Sequence, residues 1–484
     1  MNDNEELTQK SGLSRRLPKF SLKNRFSGPL ARCVFVGVIT LFLLIPLGLV
    51  RDVVYDRSYL YSEATGDIRS SWGRDQSVSG PALVIPYVTW QDRKEMKPVG
   101  KKVKMPNGSF EQEMEEVVTR DYFNHYRVVL PAELSFDSSL KHEIRYRGIY
   151  RQALYTAPVD IKGAFILPEA RDFPGNIHRI DWGGSWLAVG VTDLETIAEA
   201  APAKWGNATL AAYNPGSNTG ALLGPGFHAL VPLKAADGGA RRDFSLRLTI
   251  RGSGGISFTP VGENTAITLS SDWPDPKFQG NLLPVEHKIT DKGFTARWLV
   301  SNLTRTYPQT GNLNDYNIKD DSYNKPNSAI TCFTAGVDLH ENISLYRMVK
   351  RAVDYGILFI AVSFVALFSF EMLTRRRMHL LQYGMVGLSM SVFYLVLLSL
   401  AEHVAFGGAF ITASLVTVGM NSLYVGAALS SKQKGLVMAG VLSALYAVLF
   451  SILRMEDIAL LVGTGLVLVM MGVLMYVTRK LPQE

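Results

Sequence analysis

Hydrophobic and polar positions sort this chain into two regimes. Past residue 352 the apolar positions run on almost unbroken. Met378 to Ala401 contains no Asp, Glu, Lys or Arg, and neither do His403 to Ser431, Gly435 to Leu453 or Ile458 to Thr478. Tyr355 to Phe370 is shorter and lies between Asp354 and Glu371. A helix in a soluble core keeps one polar face, whereas these runs are apolar all round. A span needs roughly 20 mostly apolar residues, so five spans are expected here. A sixth run, Cys33 to Val50, lies near the other end. The expected spans are 30–50, 353–373, 379–401, 408–429, 435–453 and 457–477.

Between the first and second spans the pattern changes to period two. Tyr126 to Leu130, His142 to Tyr150, Val159 to Phe165, Phe244 to Ile250, Ala266 to Ser270 and Phe294 to Leu299 alternate or concentrate strand formers, and Gly/Pro turns separate such segments. Gly80 to Val88, Ser185 to Val191 and Ile256 to Thr259 are further expected strands. Many short strands with such turns predict antiparallel sheets packed as a sandwich. Asp56 to Gly73 reads as a helix continuing from the first span. Asp92 to Thr119, rich in Lys, Glu and Met, reads as an exposed hairpin or loop, and Pro202 to Pro225 as a long surface loop. Thr192 to Glu195 has capping-box spacing, which predicts a short helix over Asp193 to Ala201. From about Leu339 the pattern turns helical again.

Charge sets the orientation. Lys and Arg near spans favour the cytoplasm. They cluster in residues 1–28, at Arg375 to Arg377, at Lys432 and Lys434, and at Arg479 and Lys480. The intervening loops carry Glu402-His403, and Arg454 beside Glu456-Asp457. Arg51, Lys350 and Arg351 run against the rule, partly offset by Asp52 and Asp354. The expected fold class is an α-helical polytopic membrane protein of six spans, with a large β-rich, sandwich-like periplasmic domain between spans 1 and 2. Its parts are a cytoplasmic basic arm (1–28), a transmembrane signal anchor (29–51), the periplasmic domain (52–350), a five-helix bundle (351–478) and a cytoplasmic tail (479–484). Both termini are expected in the cytoplasm.

Composition narrows the chemistry. Over 484 residues the formal charge is +7, which the basic membrane flanks explain. No basic face with interleaved aromatics points to nucleic acid. Two cysteines, Cys33 and Cys332, cannot build a disulfide framework. Ser14-Arg15-Arg16 resembles the start of a twin-arginine signal, but a retention charge cluster explains it as well. Leu30 to Cys33 precedes the apolar run, so it is not a lipoprotein box, and no A-x-A-like site follows Val50. Gly252 to Gly255 is followed by a strand pattern and not by the helix a phosphate loop requires. None of the eight histidines forms a zinc-protease pair, and no G-x-S-x-G elbow occurs. No enzyme activity, cofactor or metal is therefore expected.

Polar residues inside apolar spans are costly and face a partner. Glu371, His379, Gln382 and Asn421 fall at similar depths in the expected topology and form a candidate intramembrane polar cluster. Glu402 and His403 form a candidate pair at the periplasmic interface. A path or binding site for an ion or lipid would use such residues, and interhelical hydrogen bonding or snorkelling at headgroup level also explains them.

Scattered short motifs carry a family resemblance. In the last third they are Val337-Asp338, Tyr355 to Ile360, Phe370-Glu371, His379, Gln382-Tyr383, Val386 to Leu388, Phe393-Tyr394, Glu402-His403, Met420-Asn421, Leu460 to Thr464 and Thr478-Arg479. In the exported region they are Ser79-Gly80-Pro81, Arg147-Gly148-Ile149 and Ser271 to Pro274. Here the chain resembles the CreD family of bacterial inner-membrane proteins over nearly all of its length past residue 30. The resemblance implies a role in cell-envelope integrity, seen as altered tolerance of cell-wall-directed antibiotics or colicins, and in several bacteria control by the CreB–CreC two-component system. The expected function is non-catalytic envelope maintenance in the inner membrane. Membrane lipids are the expected partners, and another envelope protein or a peptidoglycan-related ligand is the candidate for the periplasmic domain. The alternative is a transporter or flippase-like protein acting through the bundle.

Overall fold

The computed structural model describes residues 29–104, 110–210, 212–305, 307–319, 326–328, 330, 333–339, 345–374, 378–454 and 459–478. The basic arm, the tail, His340, Cys332, Arg375 to Arg377 and Glu456-Asp457 lie outside the described residues. The chain divides into two compact units, Leu60–Asn342 and a second made of Met1–Tyr59 with Ile343–Glu484.

The first unit is β-rich. Its chain opens with four long strands: β1 (Gln76–Lys104), β2 (Phe110–Val129), β3 (Glu133–Arg147) and β4 (Tyr150–Ile166). A ten-stranded sheet is built around β1, and an eight-stranded sheet around β3 and β4. Alternation sets which face each strand buries. In the strand Arg241–Gly252, Phe244, Leu246, Leu248 and Ile250 point into the core while the residues between them stay accessible. The core draws on both sheets. Phe136 of one lies 5.0 Å from Phe258 of the other, ring to ring, and the buried Tyr155 hydroxyl donates to the Gly255 carbonyl at 2.7 Å. Trp186–Val191 is buried along its whole length, which explains its continuous apolar sequence.

Of the two alternatives for Asp92 to Thr119, the structure shows the hairpin, and other expectations change. Asp92 to Lys104 is strand, paired antiparallel with Phe110 to Arg120 as a projecting hairpin. Its charges pair across the ladder, Asp92 directly opposite Arg120 and the other two pairs on the diagonals. Arg120 Nε donates to Asp92 Oδ1 at 2.8 Å, Arg93 pairs with Asp121 at 3.4 Å, and Lys94 pairs with Glu116. The expected helix over Asp193 to Ala201 is one 3₁₀ turn, Leu194–Thr196, followed by the strand Ile197–Trp205. The Asp193 carboxylate does cap Glu195 N–H, but the open edge of the strand Arg241–Gly252 then takes the chain into the sheet. Pro202 to Pro225 is pinned down and not a loose surface loop. It holds two two-residue strands, and Leu210, Leu222 and Leu223 are buried. The sheets are also not wholly antiparallel. β1 pairs parallel with Gly255–Thr259, and β3 pairs parallel with Asn264–Ser271.

The second unit is helical. Its helices are α1 (Pro29–Phe42), α2 (Leu44–Trp72), α3 (Leu345–Asp354), α4 (Gly356–Thr374), α5 (Leu380–Ala401), α6 (Phe406–Ala428), α7 (Lys432–Arg454) and α8 (Ala459–Thr478), α2 ending in the β-rich unit. Among the described residues, four helices are long and apolar enough to cross a membrane, and a fifth appears if α3 and α4, bent by 44°, count as one. The second expected span therefore begins as a separate, amphipathic α3. Its Tyr346, Val349, Ala352 and Val353 are buried while Arg347 stays exposed. The α6–α7 hairpin closes on a glycine. A Cβ on Gly435 would stand 2.8 Å from the Ser422 carbonyl oxygen and 3.1 Å from Gly426 Cα.

Candidate functional site

Each polar residue expected inside the spans finds a local partner. Glu371, near the end of α4, is only 7 % exposed, and the Tyr383 hydroxyl of α5 donates to its Oε2 at 3.0 Å. Asn421 of α6 is 2 % exposed, and Ser389 of α5 donates to its Oδ1 at 2.7 Å. Tyr383 and Ser389 are six residues apart on one helix, about 9 Å along its axis. The Glu371 and Asn421 bonds thus lie at different levels of α5. Among the described residues, the buried Asn421 Nδ2 finds no hydrogen-bond partner.

His379 and Gln382 serve the backbone instead. His379 caps α5: its Nδ1 accepts from Leu381 N–H at 3.2 Å, while Gln382 Oε1 accepts from His379 N–H at 3.0 Å. This reciprocal cap satisfies amide donors that a helix start leaves unpaired. Glu402 and His403 also part company. Tyr346 donates to Glu402 Oε1 at 3.2 Å, and Arg57 Nε stands 4.0 Å from the same oxygen. His403 Nδ1 lies 3.0 Å from the Ser399 carbonyl. Sequence reading missed Tyr383, Ser389, Tyr346 and Arg57 as partners. A hydroxyl within an apolar run is the signal that could have found the first two.

In the β-rich unit a cavity of about 700 Å³ opens where one end of β3 and β4 meets the strands Arg241–Gly252, Asn264–Ser271 and Gly293–Ser301. Its polar lining centres on Glu133, Lys162, Arg241 and Asn264. Arg241 grips Glu133 with both terminal nitrogens, at 2.9 and 2.6 Å, and its Nε meets Asp243 at 3.2 Å. The guanidinium holds the Glu133 carboxyl below its usual range. On the same sheet Arg247 holds Asp160 low through bonds of 2.6 and 2.8 Å. Partial burial pushes Asp272 up, but the bonds from His142 outweigh it and leave the carboxyl low. His142 N–H donates to Asp272 Oδ1 at 3.1 Å, with Nδ1 2.6 Å from that oxygen. Among the described residues, no three His, Cys, Asp or Glu side chains gather as metal ligands would. The arrangement suits recognition of a ligand through an opposed pair of charges.

The family model described as "Inner membrane protein CreD" matches residues 29–482. The Escherichia coli (strain K12) protein named inner membrane protein CreD is 31 % identical over 446 residues, which covers 91 % of this chain and 90 % of that one. The chain belongs to the CreD family, and the family name together with the apolar helices supports an inner-membrane location.

Proposed function

We propose that this CreD-family member maintains cell-envelope integrity without catalysis, by holding a periplasmic binding domain at the inner membrane. In this reading the membrane part has six spans: α1 with the start of α2, the bent pair α3 and α4, and each of α5 to α8. Both termini lie in the cytoplasm, and the two sheets form a sandwich in the periplasm. The observation that carries the binding role is the 700 Å³ cavity edged by Arg241 and Glu133. Its size falls within the roughly 300–1,000 Å³ of small-ligand sites, and its paired charges suit a zwitterionic envelope component. The polar groups of the lining supply orientation, as they do in such sites.

Complementation tests this reading. A strain lacking the gene is scored for tolerance of a cell-wall-directed antibiotic, then supplied with the wild-type protein or with Arg241→Gln. Loss of rescue by Arg241→Gln at normal membrane abundance is expected, and full rescue would remove the cavity from the function. Fusions to a reporter active only after export should work near residue 200 or 405 and stay silent near 376 or 484. Activity at 484 would overturn the six-span topology.

A further inference from the structure

Two of the basic residues that run against the charge rule, Arg51 and Lys350, meet where α2 and α3 face each other. The two helices run antiparallel there. Arg51 pairs with Asp354 at 3.6 Å, and one turn on, Lys350 Nζ lies 4.6 Å from the Tyr55 ring centre. Beyond that rung the helices leave a pocket of about 230 Å³, lined by Val54, Tyr55, Ser58, Tyr346, Arg347 and Lys350. Val54, Tyr55 and Ser58 stand at i, i+1 and i+4, so they share one face of α2; Asp52 and Asp56 project from another. Both charged side chains in the lining, Arg347 and Lys350, are cations. Arg347 and Lys350 stand at i, i+3, with Cβ atoms about 5–6 Å apart, a spacing one phosphate can bridge.

Position along the chain supplies the ligand. The apolar run ends at Val50, and Tyr55 to Ser58 lie within two helical turns of it. Headgroups occupy that layer, since a bilayer is about 40–45 Å thick with headgroups and about 30 Å without. A tyrosine and two cations at this level match the aromatic belt and basic flanks that meet anionic lipids. The pocket is smaller than the roughly 300 Å³ at which drug-sized sites begin, so it takes a headgroup and leaves the acyl chains against the helices.

We propose that this pocket binds the phosphate headgroup of an anionic phospholipid, with the phosphate between Arg347 and Lys350 and the Tyr55 and Ser58 hydroxyls beside it. The proposed topology enters only in naming the outer leaflet as the source. Reversal of the topology would move the site to the other leaflet and leave binding in detergent unchanged.

The test is native mass spectrometry of the full-length protein in detergent, with phosphatidylglycerol, phosphatidylcholine or inorganic phosphate added. Wild type should retain one phosphatidylglycerol at least tenfold better than phosphatidylcholine. Arg347→Gln with Lys350→Gln should lose that preference, and Lys432→Gln with Lys434→Gln should keep it. Ser58→Phe fills the pocket and leaves every charge in place, so it covers the case in which the double variant misfolds, and it should lose the lipid too. Retention by Ser58→Phe, or equal loss in the Lys432/Lys434 control, would overturn the proposal. Displacement of the lipid by inorganic phosphate at equal concentration would assign the pocket to a soluble phosphate instead.

Discussion

Replacing Asn421 with leucine should leave the bundle as stable as before or make it more so. The side chain is 2 % exposed, its Oδ1 accepts from Ser389 at 2.7 Å, and its Nδ2 finds no hydrogen-bond partner among the described residues. Two effects oppose each other in Asn421→Leu. Losing the Ser389 bond costs about 0.6–1.5 kcal/mol, the range between membrane double-mutant cycles and ordinary hydrogen bonds. Removing a buried donor that lacks a partner recovers about 1–3 kcal/mol. Ser389 loses nothing further, because its hydroxyl also reaches the Val386 carbonyl at 2.8 Å. The net expectation is between no change and a gain of about 2 kcal/mol. Leucine is close to asparagine in length and adds apolar surface that the site already favours. Ser389→Ala should cost about 1 kcal/mol in wild type and nothing in the Asn421→Leu background. The assay is unfolding of the purified full chain by sodium dodecyl sulfate in mixed micelles, followed by circular dichroism at 222 nm. A loss of more than about 1 kcal/mol in Asn421→Leu would refute the reasoning, because Nδ2 would then have to be satisfied in the folded protein.

Tyr383→Phe removes a donor from the buried Glu371 carboxyl and should lower stability by about 0.5–1.5 kcal/mol in the same assay, the net worth of a hydrogen bond; an unchanged midpoint would exclude a stabilising bond there. Gly435→Ala should destabilise the α6–α7 hairpin by about 1–3 kcal/mol, since the new Cβ meets backbone and not a flexible side chain; stability equal to wild type would show that the helices can part freely. Burial pushes Tyr213 up to about 12, and its hydroxyl donates to the Ala201 carbonyl at 2.7 Å. A folded value raised above the unfolded one means this stabilisation is complete below about pH 10 and is lost as pH rises through 12. Thermal melts of the full chain between pH 9 and 12 should fall less steeply for Tyr213→Phe than for wild type, and parallel curves would contradict the buried neutral phenol.

The polar partners could not be read from the chain because they are long-range choices. Asn421 is conspicuous in an apolar run, and its burial follows from the cost of a lipid-facing amide. That its oxygen meets Ser389, while Glu371 meets Tyr383, depends on how α4 and α6 rotate against α5, which interlocking side chains decide. His379 and Gln382 carried a local signal of a different kind. They stand three residues apart where an apolar run begins, and the structure uses them as a cap. Their depth alone points to Glu371, but the unpaired amides of their own helix start are nearer.

What the sequence by itself determined is whatever depends on neighbours along the chain. Uninterrupted apolar runs at Met378 to Ala401 and Gly435 to Leu453 become α5 and most of α7, since a backbone in hydrocarbon must bond within its own segment. Alternation from Phe244 to Ile250 becomes a strand with those four apolar side chains inward, because successive residues of a strand face opposite ways. What only the tertiary structure decided is which segments meet. β1 lies parallel to Gly255–Thr259 across more than 170 residues, and the Asp193 cap yields to an open strand edge. A charge-rich stretch from Asp92 becomes a ladder once its opposite charges stand across from it. For β1 and for the Asp193 cap the deciding energy comes from a partner far away in sequence, and no local pattern encodes that partner's position; the Asp92 stretch instead meets its neighbouring strand.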